Sequence, residues 1–389
     1  MDYSKILSES TVSLKPSGIR KFFDFVESRP DCIALTVGQP DFVTPWHIRE
    51  AAVQSLTEGK TYYTSNAGTL KLREEISRYL VRRFDMPVYD PKTEIVVTVG
   101  GSEAIDLAFR ALINSGDEVI IPEPSFVCYS PLVKMAGGTA VTVETVFEDE
   151  FKLTPEMLKK AITNKTKMLV LPYPNNPTGA ILTREELEKI ADVIRDTDIV
   201  ILTDEIYAEM TYGLKHTSIT SLPGMRERTV VVSGFSKSYA MTGWRLGYVC
   251  APEPIAKQML KIHQFGIMCA PTTSQFAAIE ALVNGDEDIE MMIEEYNRRR
   301  RYIYKGLKDI GIDSFEPKGA FYIFPDIRKF GMSSDEFCQR LLDEYDCAIV
   351  PGNAFGDCGE GFARISYAYS VKHIASALER IEAFVHSLK

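Results

Sequence analysis

No stretch of this chain is apolar for long enough to span a bilayer. Its first residues, MDYSKILSESTVSLKPSG, lack the apolar core of a secretory signal, so neither insertion nor export is expected. Cysteine is sparse and poorly spaced for a framework. The seven residues Cys32, Cys128, Cys250, Cys269, Cys338, Cys347 and Cys358 are odd in number and contain no CxxC pair. That argues against a disulfide scaffold or a zinc cluster, and reduced thiols in a cytoplasm are the simpler expectation. Positive charge is in deficit: 44 Lys and Arg against 54 Asp and Glu leave a formal net charge of −10. Nucleic acid and an anionic membrane are therefore not expected partners, although a local pocket can still bind an anion. The five histidines are scattered and suggest no metal site. Internal repeats, low-complexity segments, a GxSxG elbow, a P-loop and a GxGxxG loop are all missing.

What is present is a chain of 389 residues, 45% of them hydrophobic, enough for two or three domains with a sizeable core. From about residue 93 strands and helices alternate. Thr93–Val99, Glu118–Ile121, Lys167–Leu171, Ile199–Thr203, Thr229–Ser233 and Leu246–Cys250 read as strands. Ser102–Asn114, Leu153–Ile162 and Thr183–Arg195 read as helices, the last opened by a Thr183/Glu186 capping box. Such alternation predicts an α/β fold in three layers, a mostly parallel sheet covered by helices on both faces.

After about Asp286 the texture changes. Glu287–Asp309, which includes Arg298–Arg301, reads as a long charged connecting helix. Strand-like runs at Ala320–Phe324 and Phe362–Tyr367, with helical patterns at Ser334–Tyr345 and Ser370–His386, suggest a smaller α+β domain. The expected division is a large domain over 45–285 and a small one combining 1–44 with 286–389. The Pro16–Glu27 segment is expected to pack on the small domain or over the cleft.

The chemistry concentrates in Ser233–Tyr248, SGFSKSYAMTGWRLGY. Lys237 follows the end of a strand and Arg245 lies eight residues later. A lysine is a useful nucleophile toward aldehydes once desolvation or a nearby cation lowers its pKa, and an arginine can both clamp a phosphate and supply that cation. Taken singly, each is equally a surface lysine or a salt-bridged arginine. Asp204 ends the apolar run IVILTD, so its carboxylate emerges at the carboxyl end of a buried strand, where α/β sheets carry their sites, or where an ordinary helix cap stands. Gly101, Ser102 and Glu103 open a helix whose free N–H groups suit a phosphate, or simply form a glycine turn with a capping serine.

The whole string resembles the active-site segment of class I/II aminotransferases, the fold-type-I pyridoxal-phosphate enzymes of the aspartate and aromatic aminotransferase kind. Other motifs of that family follow in order: VGQPDFVTP at Val37–Pro45, YTSNAGTLKLR from Tyr63, GGSE at Gly100–Glu103, PNNPTG at Pro174–Gly179, TDEIY at Thr203–Tyr207 and FARIS at Phe362–Ser366. The resemblance spans roughly Gly38 to the C-terminus. It implies pyridoxal 5′-phosphate on Lys237, with Asp204 beside the pyridinium nitrogen and Tyr207 and Asn176 donating to the phenolic oxygen. It implies a phosphate cup of Gly101, Ser102, Glu103 through its backbone N–H, Ser236 and Arg245, and Phe126 stacked on the ring, although a core phenylalanine remains an alternative there. Arg364 is implied as the clamp for a substrate α-carboxylate, with the backbone of Gly38 approaching the same group. The implied activity is ping-pong transfer of an amino group between an L-amino acid and a 2-oxo acid. A homodimer with shared sites is implied too, Tyr63 reaching the opposite subunit's phosphate. A C–S β-lyase on the same scaffold and, further off, a cofactor-binding regulator are the alternatives. The substrate side chain stays open: no cation for a distal carboxylate can be assigned, and an aromatic pocket near Ile19, Ala320 and Phe321 is equally core packing.

Overall fold

The computed structural model describes residue 1, residues 3–14, residue 29 and residues 31–388. The Pro16–Glu27 segment and Ile19 lie outside the described residues. After a short strand β1 (Ile33–Ala34) come the strands of the main sheet: β2 (Ile95–Thr98), β3 (Glu118–Glu123), β4 (Thr139–Glu144), β5 (Thr166–Leu171), β6 (Val200–Asp204), β7 (Thr229–Gly234) and β8 (Gly247–Cys250). They pair in the order β2-β8-β7-β6-β5-β3-β4. All contacts from β7 through β4 are parallel, while β8 runs antiparallel to both β2 and β7. Helices lie on both faces, so the expected three-layer, mostly parallel α/β fold is the one observed.

The core strands are continuous apolar runs because both faces are covered. Val119, Ile120, Leu169, Val170, Ile201, Leu202, Val230 and Val231 are fully buried. Each such side chain contributes roughly 1.5–3 kcal/mol on burial, which makes the sheet centre a firm base for residues projecting beyond its carboxyl ends. The edge strand β4 was not expected. Its sequence, TAVTVE, is half polar, and only Val143 is buried, so no apolar run announces it. The capping box at Thr183 is present, with Glu186 N–H donating to Thr183 and Thr183 N–H to the Glu186 carboxylate.

The C-terminal part builds smaller sheets from β9 (Tyr322–Ile323), β10 (Cys347–Ala348), β11 (Val350–Pro351) and β12 (Ala363–Ser366). β12 lies between β11 and β9, antiparallel to both, and β1 pairs in parallel with β10. The expected strands at Ala320–Phe324 and Phe362–Tyr367 are thus shorter than their apolar runs. The Asp286–Ile310 helix ends on Gly311 at φ 87°, a left-handed stop that glycine adopts without strain. One hydrophobic cluster joins this part to the main body, with Tyr207, Tyr296, Phe321, Tyr322 and Ile365 in common contact.

Candidate active site

The loops after β2, β3, β5, β6 and β7 converge with β9 and β12 on one cavity of about 360 Å³, within the range of small-molecule sites. Gly38, Gly101, Ser102, Phe126, Asn176, Asp204, Tyr207, Ser236, Lys237, Arg245 and Arg364 all line it. Glu103 and Tyr63 are not among the lining residues.

One corner of the cavity is assembled by glycines. A Cβ on Gly247 would lie 2.6 Å from the Gly100 carbonyl carbon, and one on Gly234 would lie 2.9 Å from the Gly247 Cα. Only hydrogen at these positions lets the start of the Gly101–Leu112 helix descend onto β7 and β8. Gly100, at φ 79°, turns the chain into that helix, whose first N–H groups receive no side-chain cap. Arg245 stands close by: a Cβ on Gly100 would meet its Nη2 at 2.9 Å. Uncapped N–H groups, the helix dipole and a guanidinium together make an anion site. Glu103 keeps its carboxylate away from it. One oxygen accepts from Val99 N–H, and the other pairs at 2.7 Å with Nδ1 of the fully buried His263.

Lys237 follows β7. Its Nζ donates to the Gly38 carbonyl at 2.6 Å and lies 5.7 Å from the Tyr207 ring centroid. Burial, then the positive charges of Arg364 and Arg245, push its pKa down to about 8, with Asp204 opposing. Asp204, the last residue of β6, is 7% exposed. Burial pushes its pKa up to about 6, against the hydrogen bonds from Tyr129 and from Ile206 N–H. Phe126 packs edge-on to Tyr129, with ring centroids 6.2 Å apart.

The PNNPTG turn is held by Asn175, whose Oδ1 accepts from the backbone and the hydroxyl of Thr178. Gly179, at φ 75°, lets this turn touch β9; a Cβ there would come within 2.7 Å of the Tyr322 carbonyl. Asn176 is thereby brought to Arg364, which donates to its Oδ1 at 3.0 Å and to the Thr36 carbonyl. Arg364 is 2% exposed, and its Nε has no hydrogen-bond partner among the described residues.

These residues fit a phosphorylated aromatic aldehyde. The corner at Gly101 and Arg245 suits its phosphate, the buried carboxylate of Asp204 suits a protonated ring nitrogen, and an amine of lowered pKa suits its aldehyde. The unpartnered Arg364 Nε adds a free donor for a carboxylate. Sequence reasoning missed two lining residues of consequence, Tyr129 and Tyr322. Both are fully buried aromatics, indistinguishable by composition from core.

Comparison with known proteins agrees with this geometry. The profile of the family described as aminotransferase class I and II matches residues 30–381. A Bacillus subtilis (strain 168) protein, the provisionally named aminotransferase YugH, is 52% identical over 380 residues, covering 98% of each chain. The aspartate aminotransferase of Pyrococcus abyssi is 44% identical over 386 residues, covering 98% of this chain and 99% of that one. The crystal structure of the aromatic aminotransferase from Pyrococcus horikoshii OT3 superposes with a TM-score of 0.90 at 45% identity, covering 94% of this chain and 99% of that one. The chain therefore belongs to the class I and II aminotransferases, pyridoxal-phosphate-dependent enzymes that move an amino group between an amino acid and a 2-oxo acid.

Proposed function

We propose that Lys237 is the attachment point of the cofactor and the proton carrier of the reaction. When bound, pyridoxal phosphate supplies an electron sink for negative charge at the substrate Cα. Gly101 and Ser102 with Ser236, Arg245 and the backbone N–H of Glu103 hold the phosphate. Asp204 would keep the ring nitrogen protonated, Phe126 would supply an aromatic face for the ring, and Asn176 and Tyr207 would donate to the phenolic oxygen. Arg364, oriented by Asn176, grips the substrate α-carboxylate in two-pronged fashion, and the Gly38 backbone lies against the same group. The Lys237 amine would remove a proton from the substrate Cα and later return it as an acid, a role its lowered pKa suits.

The observation that carries this reading is that Lys237, Asp204, Arg245 and Arg364 share one cavity. The same reading divides the chain into a large domain over 45–285 and a small one over 1–44 plus 286–389, a division supported by the β1–β10 pairing. A homodimer with shared sites is part of it. Tyr63 is 78% exposed, and Phe265, 90% exposed, with Trp46, Tyr62 and Ile267 adds apolar surface of the kind that a second copy covers. A cytoplasmic setting fits the unpaired cysteines; among the described residues no helix is long and apolar enough to cross a membrane. Two of these relatives are named as an aspartate and an aromatic aminotransferase, so either donor class is a candidate.

The test is borohydride reduction of the reconstituted protein followed by proteolysis. The reduced cofactor is expected on Lys237; a label on another lysine defeats the assignment. A panel of amino donors with 2-oxoglutarate then identifies the donor class.

A further inference from the structure

Tyr322, in β9, is fully buried. Its hydroxyl lies 2.8 Å from the hydroxyl of Tyr207. The Arg364 guanidinium stands 4.7 Å from its ring centroid. A Cβ on Gly38 would come within 2.4 Å of Tyr322 Oη, so glycine at position 38 leaves the room that this hydroxyl occupies.

Each phenol carries one hydrogen and can also accept, so the contact alone does not fix which one donates. The role of Tyr207 fixes it. A phenolic oxygen bearing negative charge only accepts, so Tyr207 commits its hydrogen there, and Tyr322 is left as the donor to Tyr207. Burial holds both phenols above their ordinary pKa, so both are protonated near neutrality.

We propose that Tyr322 is a positioning residue for catalysis: it donates to Tyr207 and so strengthens the hydrogen bond from Tyr207 to the cofactor's phenolic oxygen. The proposal rests on the reading of Tyr207 given above. Hydrogen bonds in a chain polarise one another, so removing the outer one weakens the inner one. The Tyr322 ring has a separate contact with Arg364, which phenylalanine keeps. Tyr322→Phe therefore isolates the hydroxyl.

The measurement is the pH midpoint of the holoenzyme's cofactor absorbance. A donor to the phenolic oxygen makes that oxygen a weaker base and lowers the midpoint. Tyr207→Phe is expected to raise it. Tyr322→Phe is expected to raise it by about one- to three-tenths of that shift, with little change in the Michaelis constant for amino acids. In a Tyr207→Phe background Tyr322→Phe should add nothing. A Tyr322→Phe enzyme with an unshifted midpoint, or with the same shift in both backgrounds, overturns the relay while leaving Tyr207 in place. An unshifted midpoint in Tyr207→Phe itself overturns the reading of Tyr207 and the relay with it. Should Tyr322→Phe not fold, Gly38→Ala crowds the same hydroxyl; it must raise the midpoint only when Tyr207 is present, and a shift independent of Tyr207 refutes the proposal.

Discussion

The hydroxyl of Tyr129 donates to Asp204 Oδ2 at 2.8 Å in the cavity wall, while Ile206 N–H donates to Oδ1 at 3.2 Å. Both bonds favour the charged carboxylate, and burial opposes it. The balance leaves Asp204 ionised at neutral pH and fixed in direction, the state needed to keep a ring nitrogen protonated.

Asp204→Ala is therefore expected still to attach the cofactor, because Lys237 and the residues that hold the phosphate are unchanged. It should lose roughly 100- to 1,000-fold in single-turnover rate with an amino acid, as when one preorganised electrostatic contact is removed. Tyr129→Phe removes one neutral donor to that carboxylate and should cost roughly tenfold. Stopped-flow absorbance measures both. A near-wild-type rate in Asp204→Ala reduces that residue to a strand-end cap.

A pH dependence follows from Lys237. Its pKa is pushed down to about 8 by burial first, then by Arg364 and Arg245. Only the neutral amine attacks an aldehyde, so attachment of cofactor to the apoenzyme should speed up with rising pH, half-maximal near 8. Arg364→Leu removes a positive charge that disfavours the ammonium form. The Lys237 pKa then rises, and the midpoint moves to higher pH. The same variant should raise the Michaelis constants for amino and oxo acids alike, since a buried carboxylate deprived of its guanidinium loses roughly 2–5 kcal/mol. An unmoved midpoint with unchanged Michaelis constants makes Arg364 structural.

The sequence marks Lys237 and Asp204 only within longer strings, since singly each is equally a surface lysine or a helix cap. Asp204 ends one apolar run that reads as a buried strand and Lys237 follows shortly after another, while the glycines of GGSE and PNNPTG mark turns that backbone contacts require. Tyr129 and Tyr322 carry no such mark. A buried tyrosine among 18 is ordinary core until its hydroxyl is seen to face Asp204 or Tyr207. The same limit hid His263, an unremarkable helix residue that proves to hold the Glu103 carboxylate away from the anion corner. The antiparallel course of β8 was equally hidden, because apolar runs carry no direction.

Tyr63 offers the sharpest test of the shared site. It is exposed and does not line the cavity of its own chain. If it serves the opposite subunit, each site combines Lys237 of one chain with Tyr63 of the other. A Lys237→Ala homodimer is then inactive at both sites, and a Tyr63→Ala homodimer is impaired at both. Refolding the two variants together forms heterodimers in which one site collects both lesions and the other has neither. With free exchange half of the dimers are mixed, so activity should approach about a quarter of wild type, provided that the Tyr63→Ala parent retains little. Were Tyr63 to act within its own chain, every site would keep one lesion, and the mixture could not exceed the average of its parents. Differently tagged chains establish that exchange has occurred. Demonstrated exchange without recovered activity excludes the shared site, and an undiminished phosphate affinity in Tyr63→Ala assigns the residue to loop packing alone.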